Sequence, residues 1–361
     1  MRFAMLRKTR PGHLLYRLAL AVIRVHRRSS SSLRQAWVAS RWSSLAWWRY
    51  LVFSAIPSRD KNCRHYFTVL SNRGAGIGHQ LSNWLTGVVL AEDLGCTWFH
   101  CPLGDETWDS FLTLSSDQPT LASCRSQGLR VYRLPKLAHP IQVRIALRLM
   151  RTFRAPVAFV ADDLVVPDLT RAVPFFRQQY ERAPRPLPFS VSGRSASCRL
   201  VAVHVRRGDL HDLRQKGGEE WKERWLENTF FIAVCQRLKQ VLSGMTLQFH
   251  IFSQGDASQF ESFGELSDVQ LHLDGDPKSA FLFMSQADFL VCSPSSFSFS
   301  PGLLNPGIKF IRSPWWHTIP PDGTWVECSA DGTFEPSDLR HALSSQQANS
   351  VAKESARWVK S

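Results

Sequence analysis

The stretch Val201-Ala-Val-His-Val-Arg-Arg-Gly-Asp209 carries an apolar strand straight into two arginines and an acid. Successive side chains of an extended chain point to opposite faces, so Arg206 and Arg207 must diverge. One of them can face a cleft while the other, paired with Asp209, stiffens the turn. A guanidinium fork meets phosphate oxygens bidentately and neutralises the charge that grows on a departing diphosphate. Two plainer readings stand beside this one. The group can be a salt bridge that caps a strand, or Arg207-Gly-Asp209 can be an integrin-type ligand, which its place directly after a core strand argues against.

A second cluster follows another apolar strand, Phe289 to Cys292, where Ser293, Ser295, Ser296 and Ser298 crowd a loop that can open a helix. Helix N-termini attract anions; the same serines also serve as N-caps and turn residues. Asp288, just before that strand, either orients the loop or caps. Gly74, Gly76 and Gly78 allow a backbone to approach a ligand closely. Their G-x-G-x-G spacing is not the G-x-G-x-x-G of dinucleotide oxidoreductases. His79 either lines the cleft or is an ordinary first-turn residue. Asp-x-Asp arrangements such as Asp274-Gly-Asp276 sit apart from these clusters, and no metal site is expected.

The elements that must position these groups alternate between β and α character from about residue 64, the pattern of parallel α/β units. Tyr66 to Leu70 reads as a strand, Ser71 to Gly78 as a glycine-rich turn, and His79 to Leu94 as an amphipathic helix ended by Gly95. Further strands are expected at Leu200 to Val205, Leu247 to Phe252, Val269 to Leu273, Phe289 to Cys292 and Ile308 to Ile311. Helices are expected near Trp225 to Leu242 and Ser279 to Ala287. Pro184 to Ser197 looks like an interdomain linker. The divisions that follow are a basic segment 1–59, an acceptor-side domain 60–195, a donor-side domain 196–335, and a closing helix or tail 336–361. Ligands of such sheets sit at the carboxyl ends of the strands, where the two clusters lie.

His204-x-Arg-Arg-x-Asp209 resembles the motif shared by α1,6-, α1,2- and protein O-fucosyltransferases, in which it begins the donor-binding half of a GT-B fold. Asn72-Arg-Gly-Ala-Gly-Ile-Gly-His-Gln-Leu81 looks like the first turn of the α1,6 family's N-terminal domain. Ala287-Asp-Phe-Leu-Val-Cys-Ser-Pro-Ser-Ser296 looks like its third motif. The resemblance, spanning residues 70–300, implies two Rossmann-like domains facing across a cleft and transfer of L-fucose from GDP-fucose to a glycan or protein hydroxyl. It implies inversion at the sugar, with no metal or other cofactor. Arg206 would contact the β-phosphate, His204 would help seat the guanosine, Ser295 and Ser296 would bond the pyrophosphate, and Arg207, Asp209, Asp288, Gly76 and His79 would complete the donor site.

The family's second motif is altered here to Phe252-Ser-Gln-Gly-Asp256, which leaves Asp256 either to accept the guanine N–H donors or to form a turn. In α1,6 relatives a glutamate lies soon after the arginine motif, so Glu219 or Glu220 would be the base that takes the acceptor's proton, unless they are simply an exposed acidic pair. Asp105 and Glu106 are fallback candidates. The helical stalk and terminal β-barrel of animal α1,6 enzymes have no counterpart here, so the acceptor does not carry over. The rival readings are a catalytically silent nucleotide-sugar-binding protein, a transferase using another GDP-sugar, and an interaction protein whose basic N-terminus is its working part.

Composition narrows the partners. The net charge of +14 is concentrated in residues 1–59, which hold eleven Arg and one Lys without an acid, leaving 32 basic against 30 acidic residues elsewhere. Basic residues placed outside the folded part argue against nucleic-acid binding. That segment reads as an Arg/Ser-rich transit peptide for a mitochondrion or plastid, or as a membrane association in the Golgi or secretory pathway. Its apolar runs are interrupted by Arg17 and Arg49 and fall short of a spanning helix. Eight scattered cysteines form no C-x-x-C pair.

Overall fold

The computed structural model describes residues 65–115, 117–134, 153, 155–185, 198–215 and 222–358. The basic segment 1–59, Cys63, most of the expected linker (186–197), and Glu219 and Glu220 lie outside the described residues. No helix among the described residues is long and apolar enough to cross a membrane.

The chain forms two compact α/β units, each around an all-parallel sheet, in agreement with the expected fold class. Of the described residues, one unit takes those within 65–74, 83–106 and 115–166, and the other takes those within 75–82, 107–114 and 167–358. The sequence placed the division near residue 195. The structure instead groups Pro167 and the helix Val173–Tyr180 with the second unit, where Arg177 Nε donates to the Leu303 carbonyl at 2.8 Å. The closing helix, Pro336–Trp358, also belongs to that unit, because Leu339 and Ala342 are buried in its core.

In the first unit four strands pair in the order β2-β1-β4-β3. They are β1 (Tyr66–Leu70), β2 (Thr97–Trp98), β3 (Arg130–Arg133) and β4 (Val157–Asp162). Helix α1 (Ile77–Leu94) follows β1 and ends in a Schellman motif, with Gly95 at φ 60°, Cys96 N–H on the Ala91 carbonyl and Gly95 N–H on that of Glu92.

The second unit holds six strands: β5 (Cys198–His204), β6 (Thr246–Ser253), β7 (Val269–Leu273), β8 (Phe289–Val291), β9 (Ile308–Arg312) and β10 (Trp325–Cys328). Their spatial order β10-β9-β8-β5-β6-β7 is, numbered within this unit and read from β7, the 3-2-1-4-5-6 order of doubly wound dinucleotide folds. The order reverses between β5 and β8, and crevices at such a switch point bind ligands.

Alternation along β5 sorts its side chains. Val201, Val203 and Val205 enter a core with Phe231, Cys235 and Leu238 of the helix Asn228–Val241. Leu200 and Ala202 face the other way, onto Phe283 and Met284 of the helix Pro277–Gln286. The same period sends His204 and Arg206 to one face and Arg207 to the other.

Candidate functional site

The site grows from the carboxyl ends of β5 and β8, the two strands at the switch point. The Ser293 hydroxyl donates to the His204 carbonyl at 2.6 Å and accepts the Arg206 N–H at 2.8 Å, which staples the two strand ends together. The chain then turns through Ser295 into helix α2 (Ser296–Leu304). Ser295 is its N-cap, the hydroxyl accepting from Phe297 N–H at 3.2 Å. Ser298 Oγ donates back to the Ser293 carbonyl at 3.0 Å, closing the loop from within.

Arg206 spans this arrangement. Its Nη1 donates to Ser295 Oγ at 2.9 Å, and its Nη2 meets Asp209 Oδ2 at 2.8 Å and Oδ1 at 3.1 Å. Its Nε is buried without a hydrogen-bond partner. The guanidinium therefore lies beside a capped helix N-terminus, aimed where backbone N–H groups and helix dipole already favour an anion. The Asp209 side chain is 64% exposed, so this ion pair is a weak, solvent-screened one that a diphosphate can displace.

Gly78 supplies the backbone approach that the glycine-rich turn promised. A Cβ there would lie 2.3 Å from Phe297 N and 2.4 Å from the Ser296 carbonyl carbon, so only glycine fits against the first turn of α2. Around Gly76 there is open space; its carbonyl accepts from His79 N–H at 3.0 Å. His79 is half-buried and close enough to His317 to disfavour a second charge there.

His204 is buried, its ring tilted 5.3 Å from Phe297 and its Nδ1 unpartnered. Burial first, then the charges of Arg206 and Arg207, pushes its pKa down to about 3, so it stands neutral at physiological pH, able to accept or donate one hydrogen bond. Arg207 takes the opposite face. The sequence reading gave the cleft to one arginine and Asp209 to the other; Arg206 takes Asp209 while also resting on Ser295, because the turn at Gly208 brings Asp209 back to the Arg206 side. Gly208 has φ 55°, and a Cβ would fall 2.2 Å from Gln254 Oε1.

Two candidates fall away from the grip. Asp288 precedes β8, at the amino edge of the sheet, where Oδ2 accepts Leu200 N–H at 2.8 Å and Oδ1 meets Arg199 at 3.3 Å. It fastens strands β5 and β8 at the end opposite Ser293. Asp256 is the exposed N-cap of the 3-10 helix Ala257–Glu265, accepting Ser258 N–H at 2.8 Å. That bond holds its carboxyl below the usual range. Ser296 opens α2 and is half-buried; Glu106 begins the helix Glu106–Leu112 and Asp105 precedes it. Among the described residues no group of three His, Cys, Asp or Glu side chains is placed to hold a metal ion. Sequence reasoning missed Phe297, whose backbone carries the Gly78 contact.

No family model matches the chain, and no curated protein matches it in sequence. Solved structures that it resembles include the fucosyltransferase NodZ from Bradyrhizobium, at 11% identity over 69% of this chain and 95% of that one, with a TM-score of 0.36. POFUT1 in complex with GDP is similar at 12% identity over 68% and 97%, with a TM-score of 0.39. A FUT1 variant from Arabidopsis thaliana in complex with GDP is similar at 11% identity over 73% and 74%, with a TM-score of 0.40.

Proposed function

We propose that this chain is a glycosyltransferase that moves L-fucose from GDP-fucose to a hydroxyl of a glycan or protein, with inversion at the sugar carbon. The observation that carries the reading is Arg206 held against the N-cap of α2 at the sheet's switch point. The ordered motifs around His204, Asn72 and Ala287, with their resemblance to fucosyltransferases, name the donor.

In the reaction the acceptor oxygen forms a bond to the sugar's C1 while the bond from C1 to the β-phosphate oxygen breaks, and its electron pair leaves with GDP. Arg206 and the N-terminus of α2 neutralise that charge as it develops, the part a divalent cation plays elsewhere. The neutral His204 would help to seat the nucleoside. Glu219 or Glu220 would take the acceptor proton. Calorimetric titration of the full-length protein is expected to give GDP and GDP-fucose binding with no heat from ADP. Arg206→Ala should weaken GDP by about 100-fold or more, the worth of a charge-assisted contact in a partly buried site. Absence of GDP binding to the folded protein would sink the proposal.

A binding protein without transferase chemistry is the second reading, favoured by Asp256, which serves as a helix cap and so stands nearer the turn than the guanine contact of its two sequence readings. Slow hydrolysis of GDP-fucose that is lost in Glu219→Gln or Glu220→Gln would decide for the enzyme. Tight binding with no turnover on any acceptor would decide for the binder.

A further inference from the structure

The loop between β9 and β10 carries a tryptophan that the fold leaves open to solvent. Trp316 is 43% exposed, although tryptophan is among the side chains that folding buries most. Its indole is nevertheless held in place. It lies on the indole of Trp315, with ring centres 4.7 Å apart and planes 11° from parallel. Trp315 packs in turn on the core that contains Phe283, Leu290, Cys292 and Ile311, as does Phe297. The backbone is tied on both sides of the pair, Ser313 N–H donating to the Cys328 carbonyl at 2.9 Å and Thr318 N–H to that of Pro167 at 3.0 Å. A flat aromatic face is thus presented in one orientation, and a ligand need not order it on binding.

This face hangs from the same helix as the phosphate grip. Phe299, in α2, stacks on His317 at 4.5 Å and 10° and meets Trp315 at 6.1 Å, while His317 lies 6.0 Å from Trp316. Phe299 follows the N-cap Ser295 by four residues, a rise of about 6 Å along the helix axis. The anion end of α2 and the support of the indole pair are therefore one turn apart.

The size of the face decides what it fits. The other large apolar side chains exposed among the described residues, Met245, Leu271 and Val351, sit ahead of β6, on β7 and on the closing helix. A single indole is far too small for a protein interface, which needs on the order of 1,000 Å². It is equally small for a bilayer, where binding scales with buried apolar area. One pyranose ring matches it, because the C–H groups of the sugar form an apolar face of similar width and the hydroxyls at its rim stay in water.

We propose that Trp316 is a platform for the acceptor, and that the acceptor is a glycan bound by stacking one pyranose ring on this indole. The stacking follows from the exposed and fixed indole; calling its occupant the acceptor rests on the transferase reading. Of the two acceptor classes which that reading allows, the platform selects a glycan hydroxyl over a protein one.

The test is calorimetry on the full-length protein, with and without GDP, using lactose, cellotriose and chitotriose as glycans and a serine- and threonine-rich peptide as the protein-like acceptor. At least one glycan is expected to bind, and Trp316→Leu should weaken it about tenfold, because a branched aliphatic side chain offers no flat face. Trp316→Phe restores a ring and should bring the affinity back to within about threefold of the original. Both variants should keep their GDP affinity and a thermal midpoint within about 2 °C, since the side chain is largely exposed. Undiminished glycan binding by the Leu variant, binding of the peptide alone, or a dimer in sedimentation that depends on Trp316 would each overturn the assignment. If glycans bind through Trp316 while GDP fails to bind, the transferase reading falls and the sugar platform stands; GDP binding without any glycan binding removes only the platform.

Discussion

The two edges of the six-stranded sheet treat their buried and half-buried ionisable side chains differently. At the amino edge Lys309 and Asp288 are bonded by the chain itself, although the neutral Trp325 Nε1 and Gln248 Oε1 are buried there without hydrogen-bond partners. Lys309, fully buried, donates from Nζ to the carbonyls of Gly307 at 2.9 Å and Asn305 at 3.2 Å and to the Thr324 hydroxyl. Asn305 Nδ2 serves the carbonyls of Met284 and Ala287, and Asp288 takes Leu200 N–H and Arg199. At the carboxyl edge the accounts stay open. Arg206 Nε and His204 Nδ1 are buried without partners, and among the described residues no carboxylate lies within ion-pair distance of Arg207. On the proposed reading, ionisable groups that finish the fold are completed by the chain itself, and those at the carboxyl edge are left incomplete for a ligand at a cost in stability.

The sharpest way to break this contrast is at Lys309. Lys309→Ala should cost about 3 kcal/mol or more in urea unfolding, from lost bonds and an unfilled cavity, while GDP affinity measured below the transition stays unchanged. A large loss of GDP affinity there would erase the distinction between the edges. Next comes Gly78→Ala. Alanine favours a helix over glycine by about 1 kcal/mol, but a Cβ 2.3 Å from a backbone nitrogen cannot be relieved by a side-chain rotation. The first turn of α2 must shift, and GDP binding should weaken by about 2 kcal/mol with less change in stability.

The third test concerns pH. His204 is held neutral, with its pKa near 3 in the folded chain against an ordinary value of 6.5. The unfolded chain therefore binds the extra proton between these values, so the stabilisation is complete above pH 6.5 and is lost as pH falls toward 3. His204 alone contributes a slope of at most about 1.4 kcal/mol per pH unit. His250 and His317, each lowered to about 4 chiefly by burial, add to it over a narrower window. Urea titrations at pH 7 and pH 5 should show the decline, and His204→Gln should flatten it. An unchanged slope in that variant would mean that His204 already carries its proton in the folded protein.

Much of this was legible in the sequence, for identifiable reasons. Period-two alternation separates Arg206 from Arg207 whatever the tertiary structure, and a serine cluster after an apolar strand announces a capped helix. Strand β7 and β1 fall where alternation put them, because their ends are marked by turn residues. Asp288 was misjudged although the signal was present: a residue before a strand of a parallel sheet lies at its amino edge. Strand β10 escaped because its four residues include an outward Glu327. The contact of Gly78 with Phe297 joins residues distant in the chain, and no local pattern encodes it. Nor did local pattern reveal Trp225 as the floor beneath Arg207, since a tryptophan ahead of a helix more often fills a core.

The Ser293 hydroxyl, which donates to the His204 carbonyl and accepts the Arg206 N–H two residues on, has a consequence for speed. With β5 and β8 already stapled and Arg206 already resting on Ser295, the backbone of the proposed anion site needs no rearrangement before it is filled, and only the Arg206–Asp209 pair has to open. Arrival of the nucleotide should then be paced by diffusion and by the attraction of its charge to the arginines. Its association rate should fall with added salt and show no saturation at high ligand concentration.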